Sequence, residues 1–171
     1  MAIREIITIP HETLRSKARK VTSFGAELQT LIDDMLETMR AAPGVGLAAP
    51  QMNVPLRVIV VEFAESEEDE EVTPGLYICV NPKITPTSAE EEVGTEGCLS
   101  IPGIVGDVSR PLGVTVKCLN RHGQPMKLKT TGWLARIFQH EVDHLNGVLF
   151  VDLAEKVWAF EGETTQIAPA D

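Results

Sequence analysis

The chain has 171 residues, a formal net charge of −10 at pH 7 and a hydrophobic fraction of 43%, which suits one domain with a sizeable core. Its apolar residues come in short runs such as Val58-Ile59-Val60-Val61, far below the ~20 that a membrane helix needs. The acidic balance, with no basic run along the chain, argues against nucleic acid or an anionic membrane as a direct partner.

In chain order, Leu28, Leu31, Ile32, Met35, Leu36 and Met39 recur at the spacing of one helix face. They predict an amphipathic helix over residues 26–42, with its methionines in the core. The segment Gly44-Val45-Gly46-Leu47-Ala48-Ala49-Pro50-Gln51 is nearly free of polar side chains until the Gln51 amide, and its small residues let a substrate backbone approach closely. Strands are expected at residues 58–63, 76–80, 113–119 and 126–130. The acidic run over residues 65–71 reads as a solvated loop. Cys79 and Cys118 lie in strand-like apolar runs and read as small core residues. Three cysteines without paired spacing, and a start with no long apolar region, lead us to expect a reducing, cytoplasmic setting.

The most informative stretch is Gln139-His140-Glu141-Val142-Asp143-His144. Histidines four residues apart on a helix share one face and can bind one metal ion, with Glu141 beside them to act on water. Helical context is present: Thr130 and Thr131 can cap the start, apolar residues recur through Trp133, Leu134, Ile137, Phe138 and Leu145, and Asn146-Gly147 supply a stop. Trp133 and Ile137 extend the metal-bearing face as apolar surface on which a substrate side chain can lie.

Two histidines leave the ion short of a ligand. A third histidine in the metzincin spacing fails, because that position is Phe150. A glutamate on a later helix is weakly supported, since Glu155, Glu161 and Glu163 lie in a short polar tail. Upstream, Glu96-Gly97-Cys98-Leu99-Ser100 offers Cys98, which completes a Cys-His-His set with one position open. A metallopeptidase and a zinc-stapled interaction module remain as rivals, although the latter needs four protein ligands, and His11 and His122 read as ordinary surface or turn residues.

These three segments together resemble the peptide deformylase family, whose members remove the formyl group from the N-terminal methionine of newly made chains. The resemblance runs from the N-terminus to about Leu153. It implies an α+β fold with antiparallel β-sheets packed around a C-terminal metal-binding helix, a single catalytic domain over residues 1–153 and a short polar tail over 154–171. It implies one divalent ion held by Cys98, His140 and His144, with Fe²⁺ typical of the family and Zn²⁺ suited to the same donors. Hydroxide generated at that ion would attack the formyl carbon, with Glu141 as general base and the Gln51 amide and Leu99 N–H stabilising the charge on the oxygen. Val45, Gly46, Glu96, Gly97, Trp133 and Ile137 are expected to bind the substrate. Formylmethionyl nascent peptides are the expected partners, with transient proximity to the ribosome and no membrane contact. Many members carry an arginine near Val105 that holds the peptide, and some carry a basic C-terminal helix that reaches the ribosome. Val105 stands near that arginine's position and residues 161–171 carry no lysine or arginine, so neither contact is expected here.

Overall fold

The computed structural model describes residues 2–64 and 75–160, so the acidic run at 65–71 and the last part of the tail lie outside the described residues. The periodic residues do form a helix, α1 (Ala26–Ala41), which buries Leu28, Leu31, Ile32, Met35, Leu36 and Met39. The strands are β1 (Gly46–Ala48), β2 (Val58–Phe63), β3 (Gly75–Pro86), β4 (Glu91–Cys98), β5 (Ile101–Pro111), β6 (Gly113–Leu119), β7 (Pro125–Thr131) and β8 (Lys156–Ala159). Helix α2 (Gly132–Leu145) follows β7, and a single turn, α3 (Phe150–Leu153), precedes β8.

One sheet has the order β1-β2-β3-β6-β7 and the other β4-β5-β8, with every pairing antiparallel. The run Val58-Ile59-Val60-Val61 is wholly buried because both faces of its sheet are covered. Ile59 and Val61 join Val114, Val116, Ile137, Phe138 and Leu145 under α2, while Val58, Val60 and Val80 pack against α1 through Leu31, Ile32, Met35 and Met39. Each such side chain contributes about 1.5–3 kcal/mol through burial. Cys79 and Cys118 sit on the α2 side, where a mutual hydrogen bond and then burial hold the Cys79 thiol above its ordinary range. Among the described residues no helix is long and apolar enough to cross a membrane.

Several strands escape the alternation rule. β4 is acidic and glycine-bearing, and β5 carries Pro102, Gly103, Gly106 and Pro111, all of which read locally as breaks. β3 runs past the expected residue 80 through a bulge at Asn81 and Pro82. There the Asn81 side chain accepts from the Val21 N–H and donates to its carbonyl, as a neighbouring backbone would. Residues 156–159 of the expected polar tail pair with residues 104–107 of β5, so the sheet extends beyond residue 153. Val105, paired with Gly97 and Trp158, is 3% exposed and forms part of that sheet's interior.

Candidate metal centre

Helix α2 carries the two histidines into the crevice between the sheets. It begins at Gly132, whose φ is +63°, and Thr131 as N-cap makes no side-chain hydrogen bond. Thr130 instead donates to the Val114 carbonyl, so the junction with β7 starts the helix without the expected threonine cap. The stop is as expected. Asn146 is the C-cap, and Gly147 takes φ +73° at a point where a Cβ would collide with the Arg15 carbonyl.

Cys98 arrives from the other sheet. A register shift falls between Gly97 and Cys98, and Cys98 then pairs with Ile101 across the tight turn made by Leu99 and Ser100. The ligand atoms of Cys98, His140 and His144 lie within 4.8 Å of one another, and all three residues are buried. Cys98 Sγ is 3.4 Å from His144 Nε2. His140 Nε2 is buried with no hydrogen-bond partner among the described residues. A thiolate, two imidazoles and an unsatisfied buried nitrogen fit a divalent metal ion of the Zn²⁺ or Fe²⁺ kind. Burial disfavours the charged form of His140, yet Cys98 and Glu96 beside it push its pKa up to about 10, so a metal cation has a proton to displace. Burial, followed by the nearby cations, holds His144 in its neutral, ligating form.

Glu96 acts behind the ligands. It has no exposed surface, and its Oε1 accepts from His140 Nδ1 at 2.8 Å. Arg110 and Arg136 each reach its Oε2 at 2.6 Å. Arg110 also bonds Asp143 at 2.8 Å, and Arg136 bonds the Val108 and Glu92 carbonyls. Burial works against the ionised carboxyl, but the hydrogen bonds from His140 and Arg110 outweigh it and hold Glu96 well below the usual carboxylate range. The expectation of Glu96 as a substrate contact gives way to a positioning role, since both its oxygens are occupied in fixing the His140 ring and its tautomer. Phe150, the residue that cannot ligate, stacks on that ring with centroids 6.1 Å apart.

The catalytic candidates converge on the same point. Glu141 is fully buried on α2 and lies so close to β1 that a Cβ on Gly46 would be 2.7 Å from its Oε2. Gln51 Oε1 accepts from the Ala48 N–H at 3.0 Å, which turns Nε2 toward Ser100 Oγ at 3.2 Å and Cys98 Sγ at 3.7 Å. Val45 and Trp133 pack, partly buried, against the cluster that holds Ile137. Ile137 has no exposed surface, so it can only back such a wall. His11 caps the turn Glu12–Arg15 and His122 is exposed, both away from the centre. Arg110, Arg136 and Phe150 escaped sequence reasoning. Arg136 had a signal, being four residues before His140 on the same helical face, whereas Arg110 lies in a strand hidden by its glycines and prolines.

Antiparallel sheets that bring a cysteine to a helix bearing two histidines and a buried glutamate define a metallohydrolase-like centre. The polypeptide deformylase family model matches residues 3–158. A peptide deformylase of Natranaerobius thermophilus is 47% identical over 94% of this chain and 98% of its own length, and one of Dehalococcoides mccartyi is 44% identical over all of this chain and 95% of its own. The crystal structure of the Ehrlichia chaffeensis peptide deformylase in complex with actinonin superposes with a TM-score of 0.84 at 40% identity, covering 91% of each chain. The chain belongs to the peptide deformylase family, enzymes that hydrolyse the N-formyl amide of nascent peptides with a divalent metal.

Proposed function

We propose that Cys98, His140 and His144 hold one divalent ion, natively Fe²⁺ with Zn²⁺ as an alternative, and that Glu141 is the general base in removing the formyl group from formylmethionyl peptides. The observation that carries this reading is the convergence of the three ligand atoms within 4.8 Å beside a glutamate held against the glycine-rich strand. When bound, the ion supplies a Lewis acid that lowers the pKa of water and polarises a carbonyl. Glu141 takes a proton from the attacking water and returns it to the departing amine, which leaves poorly unless protonated.

The Gln51 amide, oriented by Ala48, and the Leu99 N–H at the tight turn are donors for the oxygen that gains charge, each worth ~3 kcal/mol. Val45, Gly46 and Gly97 border the peptide, and Trp133, backed by Ile137, receives its first side chain. The single catalytic domain expected over residues 1–153 also takes in β8, because residues 156–159 complete the sheet of β4 and β5. The setting proposed for this chemistry is the cytoplasm, on chains near the ribosome. The test is formate release from a formyl-methionyl peptide by metal-loaded protein and by Glu141→Gln. The variant should keep its metal and lose about 10²- to 10⁴-fold in turnover. Near-normal turnover at full metal occupancy would remove Glu141 from this role.

A further inference from the structure

The face of the five-stranded sheet that α1 covers through Val58, Val60 and Val80 continues onto β6 and β7, and there it carries lysines. Antiparallel register sets Lys83 opposite Lys117 and Lys117 opposite Lys127, while Lys129 lies opposite Thr115. All four lysines are exposed, and the alternating residues Ile84, Val116 and Leu128 pack into the α2 core on the other face.

Like charges directly opposite on neighbouring strands destabilise a sheet, and among the described residues no carboxylate forms an ion pair with these lysines, every such pair being made by an arginine or a histidine. The patch does not stop at the sheet. Lys83 also lines a cleft with Lys17, Lys20, Arg57, Asn81 and Asn146. In that cleft Arg57 spends its donors on the Leu145 carbonyl and the Asn146 amide oxygen, both at 3.0 Å, and makes no ion pair among the described residues.

We propose that this lysine face binds RNA through its phosphate backbone. Strands are ~4.8 Å apart, and alternate residues on one strand are ~6.7 Å apart, so the row presents separate point charges at steps that successive phosphates can meet. Among the described residues the exposed large apolar ones are Ile3, Ile9, Leu76, Val93, Leu153, Val157 and Phe160. None lies on β6, β7 or the Lys83 half of β3, so the face has nothing to insert into a bilayer. It also has no aromatic platform for bases, and the recognition is therefore independent of sequence. The net charge of −10 conceals the face, because these lysines are far apart along the chain and only strand pairing assembles them. An RNA partner departs from the expectation of no direct nucleic-acid partner, which rested on summed charge.

The test is fluorescence anisotropy of a labelled RNA hairpin of about 20 nucleotides, titrated with the metal-loaded full chain at ~50 to 200 mM salt. The parent and the combined Lys83→Gln, Lys117→Gln, Lys127→Gln and Lys129→Gln variant are compared. The parent should bind at low salt, and the variant should bind at least tenfold more weakly with a log–log salt slope smaller by about 3. No binding by the parent at ~50 mM salt, an unchanged slope in the variant, or tighter binding to polyglutamate or anionic lipid vesicles than to RNA would overturn the proposal. The substitutions remove repulsion, so the variant should melt no lower than the parent. A lower melting temperature would mean that the lysines serve the fold, and would count against the proposal in the same way. If the combined variant does not fold, Lys117→Gln alone should lower the slope by about one. RNA binding is read without turnover, so its failure is separable from failure of the hydrolase reading.

Discussion

Replacing Gly46 by alanine places a methyl carbon 2.7 Å from Glu141 Oε2, 3.0 Å from its Cγ and 3.1 Å from its Cδ. Ordinary contact begins near 3.4 Å, so the carboxylate has to retreat by roughly 0.7 Å, and a fully buried side chain has few directions in which to do so. A misplacement of ~1 Å at a catalytic group costs about 10²-fold, which puts the expected loss in kcat at roughly 10- to 100-fold. Stability should hold. Gly46 is absent from the positive-φ residues, so alanine fits the backbone, and its ~0.4–1 kcal/mol gain from a stiffer unfolded chain offsets a rotamer strain of similar size. The added carbon meets none of the three metal ligands among its nearest atoms, so metal content should also hold. The assay is steady-state formate release alongside metal analysis and thermal melting of the same samples. A kcat within twofold of the parent would refute the argument that Gly46 exists to admit Glu141, and loss of metal would show that the strand acts through the ligands instead.

Glu96→Ala should destabilise the protein by about 3–5 kcal/mol, because it strands two buried arginines, and should weaken metal affinity about 10- to 100-fold by releasing His140. Urea denaturation and metal titration read the two effects, and a loss below ~1 kcal/mol would contradict the network. Removal of the metal with a chelator should abolish turnover and lower the melting temperature, with both restored by Zn²⁺ or Fe²⁺, since an ion that binds only the folded state at 10³ times its Kd contributes ~4 kcal/mol. An unchanged melting curve would argue that no ion sits among these residues. Val45→Phe should reduce kcat/KM for formyl-methionyl peptides much more than for formyl-alanyl ones, because the ~1.5–3 kcal/mol from burying a methionine side chain is what the pocket supplies. Equal losses on both substrates would place the pocket elsewhere.

What was legible in advance lay within single elements. His140, Glu141 and His144 share one helical turn, and the 3.6-residue period alone says that the two histidines face the same way. The apolar repeat over 26–42 likewise predicted α1 to within a residue at its end. Cys98 could be reached by elimination, because a metal needs a third donor whatever the fold. The strands β4 and β5 could not, since the acids of β4 lie on an edge strand and Pro102 and Gly103 of β5 fall in the irregularity opposite Gly97 and Cys98, settings that depend on the neighbouring strand. Nothing in Glu96 itself reveals that it faces His140, Arg110 and Arg136 rather than the substrate, because those partners arrive from another strand and a helix. The same holds for Lys83, Lys117 and Lys127, whose alignment is a property of register. Helical periodicity is written into residue spacing, whereas cross-strand neighbours are set by long-range pairing, to which both spacing and summed charge are blind.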